Sequence, residues 1–442
     1  MSRPAGVARC FVLIAIAVLT CAATAGAQED IRDREAPPTA PPFGPKPFRL
    51  QPFDPSALVF EGDNWKLRIG GRLALEGVKY GHANDKSSGA EVEAITMRIE
   101  GHYGDRLTWR IEPDFVGDDS RRNLFEAAAA YEFDPGFRVR AGQFRVALSS
   151  EYATRNERLP FVGYGFPAYL GGRYDIGVGI DGELGEGFYY EAIGVVGAGY
   201  DLEGETQDSP QISLRTVLHP HILIGSPGPD FLDSVFGGIA IAYRTDPDDS
   251  IVVTTPTEST VFRSRDIDGE DAQFLHFEGG ATFGPVLIGA ERIVGAVNEV
   301  EVPGGGEEDL DELTSWSAYT AINLTGEDQE WERGRWTAVA PSAAEDRCGP
   351  VSSLFQWVPG RLELAARYSN ADIDRDLFDF GFTTYDPSTQ EVRTFSAELN
   401  WYDDGNTRVG VGYVRTIADD ELSTFGGNNR DSTYFFRLDL IF

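Results

Sequence analysis

The chain has 442 residues, 71 acidic against 38 basic side chains, and a formal net charge of −33. No nucleic-acid partner is expected of so acidic a chain. Beyond residue 28 no segment stays apolar for the about 18 residues that a membrane helix needs, while 50 glycines and 12% aromatic residues fit many short strands punctuated by turns.

In chain order, Arg3 and Arg9 precede an apolar run from Phe11 to Leu19, and Ala25-Gly26-Ala27 stands just before Gln28. A basic start, a short apolar stretch and an A-x-A site read as a secretory signal peptide over residues 1–27. Thr20 before Cys21 is a poor match to a lipidation box. Loss of Cys10 and Cys21 with the signal would leave Cys348 alone, so the mature chain would form no internal disulfide. Residues 28–63 hold Pro37, Pro38, Pro41, Pro42, Pro45 and Pro47 without periodicity, and read as an extended periplasmic lead-in. Residues 64–442 read as one domain.

That domain begins with Leu67, Ile69, Leu73 and Leu75 alternating with Lys66, Arg68, Arg72 and Glu76. Ile95, Met97 and Ile99 alternate with Arg98, Glu100 and His102. Gly104-Asp105 then turns into Leu107, Trp109 and Ile111, interleaved with Arg106, Arg110 and Glu112. Strands follow over 125–133 and 137–143, and near 174–184, 187–198, 210–219, 235–245, 272–283, 285–296, 313–324, 360–370, 393–403, 406–416 and 433–442. With the first three they make about sixteen, and an even number suits a bacterial barrel. Short turns such as Phe283-Gly284-Pro285 alternate with polar stretches at 246–270, 298–312 and 417–432, although 220–234 and 325–359 are long for the short-turn side. In the last strand Tyr434, Phe436, Leu438, Leu440 and Phe442 share one face, and Arg437 and Asp439 the other. An apolar face ending on an aromatic suits the closing strand of an all-β transmembrane antiparallel barrel, and Phe442 would then serve as its outer-membrane assembly signal.

Several fragments, in order, resemble the phosphate-selective porin O and P family. They are Ile69-Gly70-Gly71-Arg72-Leu73, Gly142-Gln143-Phe144-Arg145 followed by Glu151-Tyr152, and Arg173-Tyr174-Asp175-Ile176-Gly177-Val178. Further on come Leu214-Arg215-Thr216-Val217-Leu218-His219-Pro220, Leu324-Thr325-Gly326-Glu327-Asp328, Leu364-Ala365-Ala366-Arg367-Tyr368-Ser369 and Leu399-Asn400-Trp401-Tyr402. The resemblance runs from about Leu67 to Phe442. It implies a sixteen-stranded porin, normally a homotrimer, in the bacterial outer membrane among lipid and lipopolysaccharide, passing inorganic phosphate or other small anions along a file of arginines. It also implies that the third outer loop constricts the pore.

Residues 147–172 match that loop's position and contain Tyr152, Arg155 and Arg158, the constriction candidates. Strand parity assigns Arg68, Arg72, Arg98, Arg106, Arg110, Arg138, Arg140, Arg215, Arg244 and Arg367 to the polar face, as candidates for the anion path. Arginine suits that role, because its planar fork is permanently charged and matches phosphate oxygens. The same arginines could instead pair with Glu100, Glu112, Glu126, Glu132, Glu291, Glu363 or Glu398 and leave the pore weakly selective.

The net negative charge concentrates in the proposed outer loops, where screening over about 8–10 Å separates it from a constriction. It leaves a general or weakly cation-preferring porin open, as well as a non-conducting structural barrel or adhesin. Of the histidines (His82, His102, His219, His221, His276), only His219-Pro220-His221 hints at a metal site, and it has no acid or cysteine cluster nearby. No catalytic, metal or cofactor motif stands out, so the expectation is a channel and not an enzyme.

Overall fold

A sheet with period-two alternation has two chemically different faces, and closing it on itself gives one of them to a lumen. The computed structural model describes residues 58–442, apart from 84–85, 117–123, 135, 186, 197–208, 221–233, 249, 338–351, 356, 387 and 404–405. The expected signal peptide, most of the Pro-rich lead-in, Cys348 and His221 lie outside the described residues.

Its strands are β1 (Leu58–Gly62), β2 (Trp65–Lys79), β3 (Gly89–Tyr103), β4 (Leu107–Pro113), β5 (Leu124–Asp134), β6 (Phe137–Val146) and β7 (Arg173–Leu184). They continue with β8 (Phe188–Val195), β9 (Gln211–Leu218), β10 (Val235–Thr245), β11 (Ser250–Thr254), β12 (Thr260–Asp266), β13 (Asp271–Phe283) and β14 (Val286–Glu301). The last are β15 (Glu307–Asn323), β16 (Trp331–Glu332), β17 (Arg335–Trp336), β18 (Arg361–Asp372), β19 (Glu391–Tyr402), β20 (Thr407–Leu422) and β21 (Asn428–Ile441). Setting aside β1 and the small hairpins β11–β12 and β16–β17, the rest pair antiparallel with their chain neighbours. The ring closes where β2 meets β21, from Arg72↔Ile441 to Lys79↔Tyr434. The result is a closed sixteen-stranded antiparallel barrel.

The two faces follow the alternation. Phe283, Ile288, Phe395, Val411 and Phe436 are exposed on the outside, while Arg72, Glu100, Arg215, Arg367, Glu398, Arg437 and Asp439 are buried on the inside. The inside is packed because residues 147–172 fold into the lumen, where Leu159, Phe161 and Phe166 are fully buried. Phe161 clusters with Tyr152, Phe236, Tyr319 and Trp336. A second apolar cluster at the loop end joins Phe166, Phe262, Leu310, Phe378 and Phe425.

Three local features depart from the sequence expectation. The stretches 298–312 and 417–432 are mostly strand, with β14–β15 turning over residues 302–306 and β20–β21 over 423–427. A backbone amide must be paired whatever its side chain, so the ladder runs on past the last apolar residue. The strand β1 lies in what reads as lead-in, pairing from Leu58↔Ile69 to Gly62↔Trp65. It takes the part of β2 that β21 leaves free, since the chain ends with the Gly71 and Phe442 backbones hydrogen-bonded to each other. Arg106, expected on the lumen wall, lies exposed in the turn before β4. Tyr103↔Leu107 is the last ladder pair there, and Gly104 at φ 60° swings the chain round before Arg106 can join a strand.

Candidate functional site

The inward loop, residues 147–172, is held by wall side chains that bond its backbone. Arg437 donates to the Val162 carbonyl at 2.7 Å, Arg408 to the Leu159 carbonyl at 2.6 Å, and Arg367 to the Gly163 carbonyl at 2.8 Å. In return the Val162 and Glu151 amides donate to Glu398 and Glu291 at 2.6 and 3.0 Å. Loop backbone lacking a ladder of its own is thus satisfied by the lumen face, which lets it sit inside a barrel. Arg367 also ion-pairs with Glu151, both side chains fully buried.

On its other side the loop presents Arg155, which contacts Glu112 at 2.9 Å, Glu126 at 3.3 Å and Glu157 at 3.5 Å. Arg98 joins the network at 3.0 Å from Glu112 and 2.9 Å from Glu157. Burial pushes the Glu157 carboxyl up, but Arg98 and Arg155 outweigh it and hold the group well below the usual carboxylate range.

A second insertion rises from the turn end. Between β15 and β18, β16 and β17 form a hairpin whose two turn residues, Arg333 and Gly334, have φ of 50° and 70°. Two positive φ values mark a type I′ turn, which favours glycine. At Gly334 a Cβ would also fall 2.5 Å from an Arg215 nitrogen. Trp331 stacks on Phe236 with ring centroids 4.0 Å apart, and Trp336 packs 4.9 Å from Tyr319. The Trp336 amide donates to Thr154 Oγ1 at 3.1 Å, so the hairpin meets the inward loop from below.

Between loop, hairpin and wall lies a cavity of about 170 Å³. Nine arginines line it, namely Arg110, Arg138, Arg140, Arg145, Arg155, Arg158, Arg215, Arg333 and Arg335, against Glu126 and Glu191. Four of the ten path candidates are among them, Arg110, Arg138, Arg140 and Arg215, with two of the three constriction candidates, Arg155 and Arg158. Tyr152 stands outside the lining, under the Arg145 guanidinium at 5.2 Å. Arg72 pairs with Asp439 at 2.6 Å, Arg244 bonds Gln211 at 3.3 Å over the Phe274 ring, and Arg68 is half-buried on β2. With Arg98, Arg106 and Arg367 these stand outside the cavity, so six of the ten expected path arginines lie elsewhere.

Residues 68–215 match the family model described as phosphate-selective porin O and P. Over those residues the chain is similar to that family. No curated protein sequence matches it significantly. Solved structures similar to the chain include the outer membrane channel DcaP of Acinetobacter baumannii, with 12% identity, a TM-score of 0.52, and coverage of 87% of this chain and 99% of that one. OmpT of Vibrio cholerae in a trimer form has 10% identity, a TM-score of 0.50, and coverage of 86% and 100%. An anion-selective porin from Comamonas acidovorans has 9% identity, a TM-score of 0.50, and the same coverage of both chains. At these identities the likeness is one of fold.

In this barrel most lumen arginines among the described residues carry a carboxylate. Arg110 holds Glu100 and Glu126, Arg138 holds Asp181 at 2.7 Å, and Arg140 holds Glu191 at 2.6 Å. Arg215 holds Glu278 at 2.8 Å while donating to the Gly334 carbonyl. Sequence reasoning passed over Arg145, Arg333 and Arg335. The last two sit in Arg333-Gly334-Arg335-Trp336, where two cations flanking a glycine in an overlong turn were the available signal.

Proposed function

We propose that this barrel is a passive diffusion channel for small anions, with inorganic phosphate or polyphosphate as the favoured class, working as a homotrimer in lipopolysaccharide-rich outer membrane. The observation that carries the reading is the cavity with nine arginines and two glutamates in its lining. In a narrow, partly desolvated passage such an excess of fixed cation raises the local anion concentration and repels cations. Arginine forks add hydrogen bonds that a spherical halide uses poorly and a phosphate uses well. The net charge of −33 does not oppose this, because acids on the loop-end rim act over about one Debye length, roughly 8–10 Å.

Single-channel recording across a salt gradient tests the reading, with phosphate added as a competitor of chloride current. The expected result is stepwise openings, an anion-selective reversal potential and chloride current depressed by phosphate. A cation-selective reversal potential overturns it in favour of a general porin, and absence of openings overturns it in favour of a structural barrel.

A further inference from the structure

The cavity's arginines are not equivalent as places for a mobile anion. Each of Arg110, Arg138, Arg140, Arg155, Arg215 and Arg333 already holds a carboxylate, Arg333 doing so through Glu183 at 3.4 Å. Arg145 holds no acid, but its donors go to the Tyr174 hydroxyl and to the Tyr152 and Thr154 carbonyls. An incoming oxyanion must compete with those partners. Arg158 has the Glu157 carboxylate acting on it. Arg335 differs: its side chain makes no hydrogen bond or ion pair with any described residue, its Nε is enclosed, and it is partly open to the cavity.

Its surroundings are cationic as well. Burial lowers its proton affinity and Tyr189 opposes that, while the cations Arg138, Arg333 and Arg110 lower it further. Arginine keeps its charge under such conditions, and an unneutralised cation among cations is relieved by an anion. The hairpin that carries it is fixed at separate points: Trp331 on Phe236, the Trp336 amide on Thr154, the Gly334 carbonyl under Arg215, and Arg333 beside Glu183.

We propose that Arg335 is the selectivity-setting cation of this pore. The turn-end hairpin, and not the inward loop, thereby supplies the subsite for a small oxyanion. The inward loop's Arg155 is neutralised by three glutamates and serves to hold that loop in place. This proposal rests on the anion-channel reading and places its charge at one position.

The test is the reversal potential in planar bilayers, with phosphate competition against chloride current, for the wild-type chain, Arg335→Gln, Arg335→Lys and the charge-balanced pair Arg375→Gln with Asp379→Asn, an exposed ion pair outside the cavity lining. The expected results are an anion-to-cation permeability ratio lowered about fivefold in Arg335→Gln, weakened phosphate competition in the same variant, and a ratio retained in Arg335→Lys and in the balanced pair. A wild-type channel that prefers anions, with Arg335→Gln indistinguishable from it, overturns this proposal alone. Loss of the ratio in Arg335→Lys as complete as in Arg335→Gln overturns charge as the cause. A wild-type channel without anion preference overturns the anion-channel reading itself.

Discussion

Paired charges line the lumen, and what each pair does depends on where its partner lies. Arg367 and Glu151 are both fully buried, so neither finds water if the other is removed. Arg367→Met should therefore lower barrel stability by about 3–5 kcal/mol, the usual consequence of stranding one buried charge, and should loosen the inward loop. Thermal unfolding followed by heat-modifiable mobility measures the first effect, and single-channel conductance the second. Glu157 acts in the opposite sense, because its carboxylate offsets Arg98 and Arg155 beside the passage. Glu157→Gln should increase anion preference by a few-fold, read as a shift of reversal potential, and should lower barrel stability, because it removes a buried carboxylate paired with both arginines. Strand parity placed Arg72, Arg110, Arg140 and Arg215 in the lumen from sequence alone, because a strand offers a side chain only two directions. It could not assign their partners. Arg72 and Asp439 lie 367 positions apart in the chain, and which acid stands opposite an arginine is a matter of register.

At the level of elements, the barrel's two insertions differ in how they announce themselves. The inward loop is long and aromatic, so its burial followed from the difficulty of leaving Phe161, Tyr164 and Phe166 in water. The β16–β17 hairpin has strands of two residues each, too short for any periodicity to register. Only the Arg333-Gly334 pair hinted at its I′ turn. Its docking rests on Trp336, which is 3% exposed against Tyr319 and Trp331. Trp336→Ala should weaken that docking by about 3 kcal/mol. We expect larger single-channel conductance and faster proteolytic cleavage within residues 331–336, while the barrel keeps its heat resistance. Unchanged conductance would mean that the hairpin does not narrow the passage.

Across the whole molecule, the acidic surplus and the cationic chamber are kept apart. Glu258, Asp266, Asp268, Glu270, Glu307, Glu308 and Asp309 are exposed at the loop end, where like charges repel unless divalent cations bridge them to lipid phosphates. Chelation of calcium and magnesium from native membranes should therefore lower the temperature at which the proposed trimer dissociates. An unchanged temperature would remove that bridging role.

The sequence by itself determined about sixteen wall strands, the alternation that gives the strands opposite faces, and the closing role of the strand ending at Phe442. All of these follow from a local rule, in which alternation has to match the pleat and the ends of the chain have to close a ring. Tertiary structure alone decided that Arg106 falls in a turn, that β1 fills the edge of β2 below Phe442, and that the lumen arginines are mostly neutralised by acids from other strands. It also decided that a short hairpin from the turn end brings Arg335 into the chamber. These depend on which strands become neighbours and at what height, and residues hundreds of positions apart acquire that relation only when the barrel closes.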